Sequence, residues 1–172
     1  MMIRPINEAD IPELAKLAAK TYIETFGHSF TDEELDIQIK ETRSEKYFRL
    51  AIVTDTILLA FKGKRLTGYI QLSDVKINIQ GIQQGPNDQA INAIYIQSDF
   101  QGQGIGRALM DSAFSHPRFQ SADNIFIDVW DQNERAVQFY TKYGFKISGE
   151  CNVIVDGKIV GKDLVLMRSS KL

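Results

Sequence analysis

With 172 residues, 20 Lys+Arg against 22 Asp+Glu, a formal charge of −2 and a pI near 5.7, the chain has the length of one domain, expected over residues 1–172, and no basic footprint for nucleic acid. Its longest apolar run, Ile57 to Phe61, is five residues, where a membrane-crossing helix needs about 20, so no membrane partner is expected. A single Cys151 excludes an internal disulfide, and Cys151 with His28 and His116 cannot make a zinc site of the usual nitrogen and sulfur kind, so no metal is expected.

The start carries Arg4, Glu8 and Asp10 and no apolar stretch, which reads as no secretory signal and a cytoplasmic address. Ile3 to Ile6 is predicted as a first strand. Asp10-Ile11-Pro12-Glu13 has the form of a capping box, and Ile11, Leu14, Ala15, Ala18 and Tyr22 then recur at helical spacing. Thr31-Asp32-Glu33-Glu34 opens a second helix, and Ser44 to Asp55 leans to a third. Ile57–Phe61 and Leu66–Leu72 around Gly63 read as a hairpin. The polar stretch from Asp74 to Gln89, with Gly81, Gly85 and Pro86, is predicted as a loop or as frayed strand ends. Ala90–Gln97 is a strand, followed by a glycine cluster and a helix through Ala108, Leu109 and Ala113. Asn124–Trp130 is a further strand, Glu134–Tyr143 a helix ended by Gly144, and two closing strands flank Asp156-Gly157. The order predicts a mixed α/β domain.

The stretch with most chemistry is Gln101-Gly102-Gln103-Gly104-Ile105-Gly106-Arg107, where a strand enters a glycine turn and then a helix. Glycines let backbone approach a ligand, and free N–H groups at a helix start favour anions, so a phosphate or pyrophosphate is the natural guest. A dinucleotide fingerprint would need glycine where Arg107 stands, and the Gly-Lys-Ser/Thr ending of a triphosphate loop is absent. A plain tight turn is the competing reading. Gln101, Gly104 and Gly106 do fit Gln/Arg-x-x-Gly-x-Gly/Ala, and this resembles the acyl-CoA signature of the GCN5-related N-acetyltransferases (GNAT). Asn133, Ala136, Phe139, Tyr140, Gly144 and Phe145 fit that family's Asn-x-x-Ala-x-x-Phe-Tyr-x-x-x-Gly-Phe pattern. Asn133 and Tyr140 are seven apart, about two helical turns, and so share a face. Ala136, Phe139 and Tyr143 form the neighbouring stripe, predicted as core, and a core aromatic is the competing reading of Tyr140.

The resemblance covers Ile3 to Met167. It implies the GNAT fold: a mostly antiparallel sheet of about seven strands with a splayed central pair, flanked by about four helices. It implies acetyl-CoA as cosubstrate, with its pantetheine pairing to strand backbone at Ile94 and Ile96, and its pyrophosphate on the turn of Gln101, Gly102, Gln103, Gly104, Ile105, Gly106 and Arg107. Asn133 would bond the pantetheine arm, and Tyr140 would lie beside the thioester sulfur. An amine would attack the acetyl carbonyl, an amide near Ile94 would steady the oxyanion, and a phenol, protonated at neutral pH, can give its proton to the departing thiolate.

Where many members carry a glutamate base, this chain has Asn92. Glu24, Asp128 and a water chain are the candidates left, with a solvated helix residue and a structural pair as the plainer readings of the two acids. Tyr22–Phe26, Val129-Trp130 and Asp163–Met167 are similar to PaiA-type spermidine/spermine acetyltransferases, which implies a polyamine acceptor. Glu24, Asp32, Glu33, Glu34 and Asp36 could draw such an amine, although acids in a first helical turn also suit the helix dipole. A protein N-terminus, another small amine, or a CoA-binding regulatory module without catalysis are the alternatives. A homodimer through sheet edges is open to such a fold, and no sequence feature selects it. Trp130 is expected mainly to pack, Cys151 to be an unactivated thiol, and His28 and His116 to be surface or packing residues.

Overall fold

The computed structural model describes residues 1–76, 79 and 82–170. Part of the expected loop, including Gly81, lies outside the described residues; 82–85 is irregular and Pro86-Asn87 forms a turn. The chain forms two compact units, Met1–Leu72 with Ala93–Ser115, and Ser73–Asn92 with His116–Leu172.

The first unit holds β1 (Met2–Pro5), α1 (Ile11–Phe26), α2 (Asp32–Thr42), α3 (Glu45–Thr54), β2 (Thr56–Lys62), most of β3 (Arg65–Asp74), the end of β4 (Gln89–Ile96) and α4 (Ile105–Phe114). The second holds the start of β4, then α5 (Pro117–Gln120), β5 (Asn124–Trp130), α6 (Glu134–Thr141), β6 (Lys146–Val155) and β7 (Lys158–Ser169). The strands form one seven-stranded sheet in the order β1-β2-β3-β4-β5-β7-β6, a mixed α/β architecture with the expected strand number. The parallel ladder between β4 and β5 comprises Gln89↔Ile125 and Ala90↔Phe126; the other ladders described are antiparallel.

Local chemistry explains where helices begin, with one correction. Asp10 does not cap α1 with its side chain. It closes a 3₁₀ turn instead: its carboxylate accepts from the Asn7 N–H at 2.9 Å and takes both ends of the Arg4 guanidinium at 2.7 Å. The paired guanidinium outcompetes a local cap and holds the Asp10 carboxyl below its ordinary range. The α2 box forms as expected: Thr31 Oγ1 accepts from Glu34 N–H at 3.3 Å, and Glu34 Oε2 accepts from Thr31 N–H at 2.8 Å. Ser44 caps α3 and His116 caps the short α5. Six α-helices stand among the described residues against the four expected.

The first unit's core packs Ile11, Leu14 and Leu17 of α1 with Phe48 and Ala51 of α3 against Leu59, Phe61, Leu66 and Tyr69 of the hairpin. Each fully buried side chain of this kind contributes about 1.5–3 kcal/mol. In the second unit β7 lies between β5, in register from Asn124↔Ser169 to Trp130↔Asp163, and β6, joined through Asp156-Gly157 with φ of 49° and 72°. Trp130 lies on Gly161 so closely that a Cβ there would stand 2.2 Å from the ring, which supports the packing role expected of it. The α6 stripe needs correction: Ala136, Phe139 and Tyr143 are half-buried, and Tyr140 is the buried residue of the helix.

Candidate active site

In the first unit β4 runs through a 3₁₀ turn at Ser98–Phe100 into the glycine turn and α4. The end of the strand is fastened to β3: Gln97 N–H donates to Thr67 O at 2.9 Å and Gln97 Nε2 donates to Leu66 O at 3.0 Å. Gly68 lets this happen, because a Cβ there would stand 2.7 Å from the Tyr95 carbonyl oxygen. Ile94 and Ile96 are half-buried on this strand. The glutamines brace the turn from within, Gln101 Nε2 donating to Ile96 O at 3.3 Å and Gln103 Nε2 to Asp99 O at 3.0 Å.

Gly102 and Gly104 have φ of 75° and 80°, and a Cβ on either would meet nothing within 4 Å. The space in front of the turn is open. Gly104 is also the N-cap of α4 and supplies no side-chain cap, so the N–H groups of Ile105, Gly106 and Arg107 face outward from the first turn of a ten-residue helix. Ile105 is buried and anchors the turn, while Arg107 is exposed, 3.7 Å from Asp111. Two cations that sequence reasoning missed complete this surface. Lys62 Nζ donates to Gln103 Oε1 at 2.9 Å, and the Arg65 guanidinium lies 4.7 Å from the Phe100 ring centroid. They come from the β2–β3 hairpin, and no spacing in the glycine motif announces them.

In the second unit, Asn133 caps α6, its Oδ1 accepting from the Ala136 N–H at 3.1 Å. Its amide nitrogen is not used in that bond. Tyr140 is 6% exposed, with the rings of Phe139 and Phe145 at 5.3 and 6.1 Å. Ile94 to Arg107 thus form one group and Asn133 with Tyr140 another.

The candidate acids fall in separate places. Glu24 pairs with Lys20 at 3.6 Å, and Asn92 is exposed on β4. Asp128 is hydrogen-bonded to Asp163 of β7, a residue the sequence did not single out; burial first, then Asp128, pushes the Asp163 carboxyl up to about 7. Cys151 stands opposite Asp163 in the β6–β7 register, and burial together with the charges of Asp128 and Asp163 pushes its thiol up to about 12, so it stays protonated and unactivated. A carboxyl raised on folding stabilises below its ordinary pKa near 4 and loses that contribution as pH rises through 7. Asp163→Asn should therefore gain stability relative to wild type between about pH 4 and 7, measured by urea unfolding across that range; a constant difference across the range would show that Asp163 does not titrate there.

A family model described as the acetyltransferase (GNAT) family matches residues 11–145. The chain belongs to the GNAT family. It is 28% identical over 166 residues to an uncharacterized N-acetyltransferase in the pepI 3′ region of Lactobacillus delbrueckii subsp. lactis, covering 95% of this chain and 94% of that one. It is 40% identical over 70 residues to the peptidyl-lysine N-acetyltransferase YjaB of Escherichia coli strain K12, 41% of this chain and 44% of that one. The PaiA N-acetyltransferase of Thermoplasma acidophilum, solved with coenzyme A, superposes with a TM-score of 0.77 at 21% identity, covering 98% of both chains.

As a GNAT member the chain is an acetyl-CoA-dependent N-acetyltransferase. Its residues fit that cosubstrate. The positive-φ glycines, the open space where a Cβ would go and the uncapped start of α4 leave N–H groups free to face an anion, which is the chemistry a diphosphate needs. Among the described residues there is no group of His, Cys, Asp or Glu that could hold a metal ion, and no helix long and apolar enough to cross a membrane.

Proposed function

We propose that the whole chain works as one N-acetyltransferase domain that passes an acetyl group directly to a primary amine. The observation that carries this reading is the uncapped, glycine-opened start of α4 immediately after β4. Acetyl-CoA supplies the activated acetyl group. The N–H groups from Gly102 to Arg107 hold the diphosphate, with Gln101 and Gln103 keeping the turn in shape. Backbone of Ile94 and Ile96 pairs with the pantetheine, and the Asn133 amide nitrogen bonds the same arm. Tyr140 gives its phenolic proton to the departing sulfur. Asn92 has no proton-accepting role, so the amine's proton leaves through water.

For the acceptor, the likeness of Tyr22–Phe26, Val129-Trp130 and Asp163–Met167 to PaiA-type spermidine/spermine acetyltransferases supports a polyamine such as spermidine or spermine, and the partial likeness to the peptidyl-lysine N-acetyltransferase YjaB supports a lysine side chain of a protein. The acids expected to attract a polyamine lend it little. Glu34 is used in the α2 cap and Glu24 lies beside Lys20. The cytoplasm, where acetyl-CoA is made available, is the compartment we assign.

The test is CoA release coupled to mass analysis of the product, run with spermidine, spermine, amino acids and peptides bearing a free N-terminus or a lysine. Acetylated amine formed in step with CoA is the expected result. A polyamine acceptor would also bind less tightly as salt rises, because exposed carboxylates would be attracting it. Tight acetyl-CoA binding without transfer to any amine would favour the regulatory module.

A further inference from the structure

Arg43 lies between α2 and α3 in the first unit, and its surroundings are unusual for a cation. Its guanidinium carbon is 3.6 Å from the Tyr22 ring centroid and 5.7 Å from that of Tyr95. Nη2 donates to Tyr95 Oη at 3.4 Å and Nη1 donates to Thr42 Oγ1. Nε is closed off from solvent and meets no acceptor among the described residues. The groups facing the guanidinium are the phenols of Tyr22, Tyr69 and Tyr95, and among the described residues no carboxylate pairs with it. In the same unit Asp55 is engaged by Gln71, whose Nε2 donates to its Oδ2 at 2.7 Å and to Tyr47 Oη at 2.8 Å.

Burying a charged group without an opposite charge is costly, and a π face recovers only part of the cost. Arginine's fork suits a planar carboxylate better than any other partner, through two parallel N–H···O bonds. The fold spends several aromatic residues on holding Arg43 in place and leaves one of its donors unmet. Tyr95, which Arg43 contacts, stands between Ile94 and Ile96 on β4. These are the two residues whose backbone we assign to the pantetheine, so Arg43 sits within side-chain reach of the strand that would carry the reacting end of the cosubstrate.

We propose that Arg43 binds a carboxylate carried by the amine acceptor, which makes the acceptor an amino acid or similar amino-carboxylate. This rests on the acetyltransferase reading above. The polyamine is then the competing outcome, since a buried guanidinium repels a second ammonium group.

The test compares matched pairs that differ only in the carboxylate: lysine with cadaverine, ornithine with putrescine, and phenylalanine with phenethylamine, alongside spermidine, all at saturating acetyl-CoA. The best amino acid should exceed its decarboxylated partner by about 10²-fold in kcat/KM, the scale of a buried charge pair. Arg43→Gln should erase that advantage through KM for the amino acid, leaving KM for acetyl-CoA unchanged, and Arg43→Lys should restore part of it. If Arg43→Gln does not fold, the wild-type pairs still decide. Equal rates within the pairs, spermidine outranking every amino acid, or a folded Arg43→Gln that keeps the preference would each overturn the proposal, as would no turnover of any amino acid. The parent reading fails separately: acetyl-CoA would give no melting shift and no amine would be acetylated.

Discussion

Tyr140→Phe should lower kcat by about 10²–10⁴-fold, the usual contribution of a positioned general acid, while the protein stays folded and binds acetyl-CoA as before. The reason lies in what the substitution removes. Phenylalanine keeps the ring that packs against Phe139 and Phe145 and loses only the hydroxyl. Loss of one hydrogen bond costs about 1 kcal/mol of stability, too little to unfold a domain of this size. The effect should therefore fall on the chemical step. It is measured as kcat with both substrates saturating, together with a melting curve and an acetyl-CoA titration on the same preparation. Turnover near the wild-type rate, with chemistry limiting, would reduce Tyr140 to a packing aromatic and assign thiolate protonation to water.

Gly104→Val should abolish the stabilisation that acetyl-CoA confers. At 100 times its dissociation constant a ligand adds about 2.7 kcal/mol, which for a chain of this length raises the melting temperature by about 5–10 °C. The valine side chain would project into the open space before α4, where a Cβ meets nothing of the protein itself, and so would occupy the diphosphate's place. Its backbone cost at a φ of 80° is about 1–2 kcal/mol, so the fold should survive with a lower melting temperature. Differential scanning fluorimetry with and without acetyl-CoA reads both effects. A folded Gly104→Val that still shows the full shift would remove the α4 cradle from the account.

What could be read from the letters was local. The glycine turn, the Asn133–Phe145 pattern and the Asp156-Gly157 hairpin each declare themselves within a short window, and each stands where it was expected. What was hidden depends on partners distant in sequence. Asp10 looks like a helix cap until Arg4 arrives from β1 and takes its carboxylate. The helical period of α6 divides Tyr140 from Phe139 and Tyr143 but does not say which stripe is covered, and the more buried residue is Tyr140. Asp163 gains its proton affinity from burial first and then from Asp128, which the pairing of β5 with β7 sets near it. Arg43 acquires its aromatic surroundings from α1, β3 and β4 at once.

The most direct measurement of the central claim is a single incubation of the purified protein with acetyl-CoA labelled in its acetyl group and the preferred amine, followed by mass analysis of both amine and protein. Direct attack predicts label on the amine nitrogen in one-to-one amount with free CoA, and none on the protein, since the Cys151 thiol is held protonated by burial. Label on Cys151 that chases into the amine, or CoA released without any acetylated amine, would contradict it.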